Sequence, residues 1–175
     1  MDLVGSGRRV AIMIAIGAMM LVTASCSSST TEQLGAVRTK ANVASAIASL
    51  RTIASAQITY NAVCGGFFSP ALKTLGVPRT GSSEVFLSAD LASDPAVKSG
   101  YTFTLTPAQP VAEAPATCNG LEPGRAVRDF FVVAVPSTPG APYLALTSDA
   151  TLYQSTAPIP VTFGAKPAPP AVPVQ

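Results

Sequence analysis

Residues 43–66, "VASAIASLRTIASAQITYNAVCGG", carry the clearest structural signal in this chain of 175 residues. Apolar side chains recur there at steps of three and four residues, which is the spacing of one face of an α-helix. They are Val43, Ile47, Leu50, Ala54 and Ile58, with Ile53 beside them. The intervening alanines favour a helix, and two glycines stop it. We therefore predict a helix whose apolar face covers a protein core.

The predicted helix runs from residue 30 to residue 63. Ser29 and Glu32 mark its start, because a hydroxyl residue followed three positions later by a glutamate forms a capping box. A second, short helix is predicted at residues 67–76, "FFSPALKTLG", with Ser69 as its N-cap and a proline at its first helical position.

Four strands are predicted downstream of the helices. Residues 101–106 alternate between large apolar side chains and threonine, which is typical of a half-buried strand. Residues 127–135, "VRDFFVVAV", are almost continuously apolar and should form a central strand. Residues 143–147 and 151–155 form two more strands around a turn at 148–150. We expect an antiparallel sheet against the apolar face of the helix, which makes the fold class α+β.

Two proline-rich segments flank these strands. Residues 107–124 form a long loop, and loops of this length without secondary structure are unusual unless they are functional or tethered. Residues 157–175, "APIPVTFGAKPAPPAVPVQ", are almost uncharged and are predicted to be a disordered, extended tail. A spacer or a ligand for a proline-recognising partner is the alternative role for this tail.

The composition excludes several kinds of function. Only 11% of the residues are charged and the net charge is +2, so no nucleic-acid surface is expected. There is no histidine, which rules out Ser-His-Asp and Cys-His catalytic arrangements as well as histidine-containing zinc sites. Three cysteines are too few for an all-thiolate zinc site. We predict a non-enzymatic protein with no catalytic residue, no metal and no cofactor.

The remaining polar and aromatic side chains give only weak site signals. Glu84, Asp90 and Asp94 are the best candidates for calcium, but their spacing fits no calcium loop. Arg125, Arg128 and Asp129 are expected to be solvated charges beside the second strand. Tyr60, Phe67 and Phe68 are expected to fill the space between helix and sheet.

The N-terminus has the three parts of a secretory signal. Residues 1–9 carry two arginines, residues 10–22 are continuously apolar, and small residues follow. The apolar run is too short for a stop-transfer helix, which needs about 20 residues. We predict a signal peptide at residues 1–25, a serine-rich tether at residues 26–33, and export to a bacterial cell envelope.

Two cleavage sites compete at the end of this signal. Val22 and Ala24 suit ordinary signal peptidase, because they place small residues one and three positions before the cut. The sequence "VTASC" also resembles a bacterial lipobox, although Thr23 stands where leucine is usual. On the second reading Cys26 is the site of lipid attachment and anchors the protein to a membrane, facing the periplasm or the cell surface. The alternative is that Cys26 lies in the discarded signal and is removed with it.

The number of cysteines agrees with a lipid on Cys26. If Cys26 carries the lipid, Cys64 and Cys118 remain as a pair that an oxidising compartment would join. Such a disulfide closes a loop of about 55 residues and is worth about 4 kcal/mol in the chain-entropy model. Two free buried thiols are the alternative.

Several of these segments together resemble type IV pilin-like proteins and the pseudopilins of type II secretion. The resemblance covers residues 34–155 and implies a pilin-like domain, at residues 34–156, in which a long helix packs on a small antiparallel sheet. Its elements are "SLRTI" at 49–53, "AQITY" at 56–60, "FSPALKTLG" at 68–76, "GYTFTLTP" at 100–107 and "LALTSDATLY" at 144–153.

The segment that assembles pilins departs from the family pattern. Residues 10–20, "VAIMIAIGAMM", lack the glycine cleavage site, the phenylalanine and the glutamate with which a mature pilin begins. The resemblance thus implies a pilin-type head on a lipid anchor, which acts in protein–protein contact near a type IV pilus or a type II secretion assembly. The alternatives are a divergent pilin or pseudopilin that polymerises, and a surface module that binds a glycan or small ligand through the loop at 107–124.

Overall fold

The computed structural model describes residues 27–174. The described chain divides into two units, with the boundary after Arg38. In the first unit, the described residues 27–38 are helical. The predicted signal peptide at residues 1–25 and the predicted lipid-attachment residue Cys26 lie outside the described residues.

Helix α1 spans Ser27–Val63. Ser29 is itself helical and so does not occupy the predicted N-cap position, and residues 27–33 of the predicted tether are helical. At its C-terminal end the Cys64 amide bonds the Tyr60 carbonyl at 2.8 Å and the Gly66 amide bonds the Asn61 carbonyl at 2.9 Å. Gly66 has a φ of 80°, the left-handed conformation that lets the chain turn out of a helix.

The buried face of α1 differs from the predicted face at one position. Its fully buried residues follow one another at steps of four and three, at Ala46, Leu50, Ile53, Gln57 and Tyr60, and the buried Cys64 follows just beyond the helix. Ile58 is 53% exposed, so its predicted place in the core is wrong. Successive helical residues are turned by about 100°, and the stripe passes through Gln57 instead.

Helix α2 is a single turn, Leu72–Leu75, and not the longer helix predicted at residues 67–76. The preceding chain is extended because Phe68 exchanges two backbone hydrogen bonds with Val127, at 2.8 and 3.1 Å. Ser69 does not cap the helix. The carboxylate of Asp94 does so, because it accepts hydrogen bonds from the amides of Leu72 and Lys73 at 3.1 and 3.0 Å.

A six-stranded antiparallel sheet follows, with its strands in chain order, and it confirms the α+β class. The strands are β1 Ala96–Lys98, β2 Tyr101–Pro107, β3 Phe130–Pro136, β4 Tyr143–Thr147, β5 Leu152–Ser155 and β6 Val172–Pro173. The predicted central strand is confirmed, because β3 lies third in the sheet and pairs with β2 and β4, but it begins at Phe130 and not at residue 127 as predicted. The predicted turn between β4 and β5 is also present.

One face of the sheet packs against α1. Phe103 of β2 lies opposite Ala134 of β3, and Leu105 lies opposite Val132. These side chains join the helix residues and Leu144 in the main hydrophobic cluster. Strand β1 was not predicted. It turns into β2 through Ser99 and Gly100, whose φ values of 49° and 73° suit a two-residue hairpin turn.

The opposite face of the sheet is covered by the C-terminal tail. Phe131, Ala145 and Tyr153 form a second buried cluster with Ile159 of the tail. The tail then returns along β5, where the Val174 amide bonds the Leu152 carbonyl at 2.9 Å. The prediction of a disordered tail at residues 157–175 is therefore wrong for the described part. The apolar back of the sheet needs a cover, and the tail supplies it.

Replacing Ile159 by alanine tests this role of the tail. Ile159 is only 6% exposed, so we expect Ile159→Ala to lower the free energy of unfolding by about 2 kcal/mol. Val161→Ala is the matched control, because Val161 lies in the same tail but is 41% exposed, and it should change stability by less than about 0.5 kcal/mol. Equal denaturant midpoints for both variants would show that the tail does not stabilise the sheet.

Candidate functional site

A disulfide joins the end of α1 to the long loop at residues 107–124, which we call the disulfide loop. Cys64 and Cys118 are bonded, with their Cα atoms 4.8 Å apart. The predicted pairing is thus confirmed, and the alternative of two free buried thiols is not. Because the loop lies between β2 and β3, the bond fixes the middle of this connection against the helix end.

A buried asparagine holds the disulfide loop next to the bond. The Asn119 side chain donates to the Thr74 carbonyl at 2.7 Å, and its oxygen accepts from the Tyr60 hydroxyl at 3.3 Å and the Thr117 hydroxyl at 2.9 Å. Burial raises the pKa of the Tyr60 hydroxyl, against a smaller lowering by its hydrogen bond with Thr117. The Tyr60 hydroxyl therefore stays protonated at neutral pH and donates its hydrogen bond to Asn119.

Backbone hydrogen bonds fix the rest of the disulfide loop. The amides of Val111, Thr117 and Gly124 bond the carbonyls of Ala126, Leu121 and Ala114 at 2.8–2.9 Å. The loop therefore has a defined conformation without forming a helix or strand of the sheet. Its surface consists mainly of small, proline and acidic residues, and the exposed ones are Pro107, Gln109, Pro110, Ala112, Glu113, Pro115, Ala116, Gly120, Glu122 and Pro123.

A glutamine inside the core connects α1 to the chain that leads into α2. Gln57 is completely buried. Its side-chain amide donates to the Ser69 carbonyl and accepts from the Ser69 amide, both at 2.9 Å. The two hydrogen bonds pair the backbone amide and carbonyl of Ser69, which lies beside the core in a segment that belongs to no strand or helix. The sequence placed Gln57 between apolar helix positions, which was the available sign of such a buried polar role.

The three acidic residues weighed for calcium have separate partners. Glu84 pairs with Arg79 at 3.3 Å, Asp90 pairs with Lys98 at 2.6 Å, and Asp94 caps α2. The hydrogen bond from Lys98, with a further one from Ser88, lowers the pKa of Asp90. Among residues 27–174 there is no group of three or more cysteine or acidic side chains placed to hold a metal ion.

The aromatic residues near the helix end have three different environments. Tyr60 is fully buried, as predicted. Phe68 is partly buried and meets Phe130 edge to face, with ring centres 5.0 Å apart. Phe67 lies against the guanidinium of Arg128, whose carbon is 5.2 Å from the ring centre, so Phe67 covers a surface charge and does not fill the core.

Several cavities open on the described part of the chain, and two of them are similar in size and lined largely by polar side chains. The first, about 290 Å³, lies beside α1 at Thr52, Ser55 and Thr59, with the paired Arg79 and Glu84 on its other side. The second, about 300 Å³, lies between the β4–β5 turn and the tail. Both stand at the lower end of the range for small-molecule sites, which is about 300–1,000 Å³. Larger openings, of about 650 and 750 Å³, lie beside β6 and around residues 136–143.

Comparison of the chain with protein-family models, with curated proteins and with solved structures finds no match. Within the described residues, no helix is both long enough and apolar enough to span a membrane.

Reduction of the disulfide should destabilise the protein. The bond closes a loop that spans a sequence separation of 54, so we expect a reductant to lower the free energy of unfolding by about 4 kcal/mol. Denaturant unfolding followed by circular dichroism, with and without reductant, measures this change. The Cys64→Ala/Cys118→Ala double variant is the control and should not respond to reductant. Identical midpoints for the oxidised and reduced wild type would contradict the prediction.

Proposed function

We propose that this chain is a non-enzymatic protein of a bacterial cell envelope, held on a membrane by a lipid at Cys26, whose pilin-like head acts in protein–protein contact. The disulfide loop is the contact surface. Its partner belongs to a type IV pilus or a type II secretion assembly. The observation that carries this proposal is the fixed conformation of a long, exposed loop that is neither helix nor strand.

The pairing of two cysteines supports the lipid anchor. Cys64 and Cys118 are bonded to each other, so Cys26 is the one cysteine left for a lipid. Disulfides persist in exported proteins and are rare in the cytosol. The basic and apolar segments before Cys26, with the lipobox-like "VTASC", agree with export followed by lipidation.

The rigidity of the disulfide loop supports a contact role. Ordering a mobile loop on binding costs free energy, and a loop that is already fixed avoids most of this cost. The disulfide, Asn119 and three backbone hydrogen bonds restrain the loop before any partner arrives. Its proline residues restrict it further. Exposed Glu113 and Glu122 give the surface an acidic character that suits a basic partner.

The order of elements supports the pilin-like assignment. One long helix precedes an antiparallel sheet whose strands follow in chain order, and the C-terminal half of the helix packs on the sheet. The segments "SLRTI" and "AQITY" lie on this packed half and contribute Leu50, Ile53, Gln57 and Tyr60 to the buried face. A pilin-type head requires this arrangement of helix and sheet.

Metabolic labelling with an alkyne fatty acid tests the anchor. The full-length wild type should incorporate the label, and Cys26→Ala should lose it. The Cys64→Ala/Cys118→Ala double variant is the control and should remain labelled, because its lipid site is intact. Mass spectrometry of the mature N-terminus should find a diacylglyceryl Cys26. A methylated residue within positions 10–22 would instead identify a polymerising pilin subunit.

Site-specific photo-crosslinking in cells tests the contact surface. A crosslinker at Glu122 in the disulfide loop should capture a component of a pilus or secretion assembly. The same crosslinker at Thr104, an exposed position on β2, is the control and should not. Loss of the disulfide in the double cysteine variant should reduce the yield at Glu122. Adducts formed only between copies of this chain, or none, would count against the proposal.

A further inference from the structure

The disulfide loop contains a chemically reactive pair, Asn119 and Gly120, that the proposed function does not use. An asparagine loses its side-chain amide most readily when a glycine follows it, because glycine has no side chain to obstruct its own backbone nitrogen. Cys118 directly precedes the pair and is bonded to Cys64. The reactive pair is thus attached to the bond that fixes the loop.

The side chain of Asn119 is hydrogen-bonded at both of its polar atoms. Its nitrogen donates to the Thr74 carbonyl at 2.7 Å. Its oxygen accepts from the Thr117 hydroxyl at 2.9 Å and from the Tyr60 hydroxyl at 3.3 Å. Asn119 is also only 7% exposed. The side-chain carbonyl carbon is therefore fixed in position and has little contact with water.

The backbone nitrogen that would attack this carbon is held as well. Gly120 donates its amide hydrogen to the Thr117 carbonyl at 3.1 Å, so the proton that must leave before attack is already in a hydrogen bond. Attack on the side chain of Asn119 requires this bond and the side-chain bonds to break together, which amounts to local unfolding of the loop. The closed loop therefore protects the pair in its side chain and in its backbone.

We propose that Asn119–Gly120 is a deamidation site that does not react while the Cys64–Cys118 disulfide is intact and reacts once the disulfide is open. The disulfide is open in a chain that has not yet been oxidised, or after a dithiol has reduced it and has itself been oxidised to a disulfide. An open chain loses the restraint next to the pair, so the hydrogen bonds that protect it break far more often.

The reaction needs only water once the loop is open. The Gly120 nitrogen gives its proton to water and bonds to the side-chain carbon of Asn119. The side-chain nitrogen takes up a proton and leaves as ammonia, and a cyclic imide remains. One water then adds to either carbonyl of the imide and breaks the bond from that carbonyl to the nitrogen, which leaves an aspartate or an isoaspartate at position 119.

The modified loop cannot return to its folded contacts. The nitrogen that donates to the Thr74 carbonyl is replaced by an oxygen, so a buried carboxylate faces that carbonyl without a hydrogen bond. An isoaspartate also adds a carbon to the backbone before Gly120. The reaction therefore identifies, irreversibly, a chain whose disulfide has been open. That such a chain also loses its contact surface rests on the proposed function of the loop.

Peptide mapping of the full-length protein by mass spectrometry tests the proposal. The modified fraction at position 119 is followed at neutral pH with and without a dithiol. Because the rate follows the fraction of molecules with an open loop, the dithiol should raise it by about tenfold or more. Asn42 and Asn61 are internal controls and should stay unmodified, because each lies within α1 and is followed by a residue with a side chain. No partner protein is present, so failure of the contact proposal cannot change this result.

Two variants separate the disulfide from other effects of the dithiol. The Cys64→Ala/Cys118→Ala double variant should react at the fast rate without dithiol. Gly120→Asn should slow the reaction by about tenfold or more, because a side chain then obstructs the backbone nitrogen. The fold accommodates this change, since a Cβ at position 120 meets no atom of the described chain within 4 Å and asparagine tolerates the φ of 84°.

Two outcomes would overturn the proposal. One is an equal rate at position 119 with and without dithiol, which would show that the disulfide does not protect the pair. The other is an unmodified pair in the reduced protein after a time in which a synthetic peptide of residues 114–124 has reacted, which would show that the loop stays closed without the bond.

Asn119→Asp reproduces one product and tests whether the modified loop stays open. The amides of Thr117 and Leu121 are hydrogen-bonded within the loop. In the oxidised Asn119→Asp variant their hydrogen exchange should be about tenfold faster or more than in the wild type. The amides of β4 are the internal control and should change less. Unchanged exchange at Thr117 and Leu121 would contradict the loss of the folded contacts.

Discussion

Strand β3 is buried on both of its faces, and the positions of the helix and of the C-terminal tail follow from that burial. Val132 and Ala134 face α1, whereas Phe131 faces the tail. In a sheet with one face exposed to water, this strand would expose large apolar side chains to the solvent. The sheet therefore needs two covering layers, and a chain of this length provides one long helix and one proline-rich segment for them.

The polar contacts at the end of α1 depend on this packing. Once the helix lies on the sheet, Gln57 and Tyr60 are brought inside the core, where their polar atoms need partners. Ser69 satisfies the first and Asn119 the second. Because Asn119 is next to Cys118 in the chain, the same packing brings the two cysteines together. Helix packing, disulfide and loop conformation are therefore coupled parts of one arrangement.

Local patterns predicted the central elements well. Three of these patterns depend only on residues close together in the chain, so they can be read from the sequence. They are the alternation at residues 101–106, the apolar run at 127–135 and the turn at 148–150. The disulfide also followed from a simple count of cysteines. What local patterns missed depends on distant residues: Asp94 caps α2 from across the chain, and Val127 draws Phe68 into an extended conformation. The second cavity likewise depends on the path of the tail, which brings Lys166 into the same lining as Asp129 and which composition alone predicted to be disordered.

The tail follows the helix and the first five strands in the chain, so it leaves the ribosome or a translocation channel after them, and it also completes the fold. Until residues 157–174 have emerged, the side of the sheet formed by Phe131 and Tyr153 remains in contact with water. The side of the sheet that faces the helix can pack earlier, because all residues of its hydrophobic cluster precede residue 156. Folding of a newly made molecule is thus expected in two stages, with a chaperone-accessible apolar surface that disappears only when the tail has packed on the sheet.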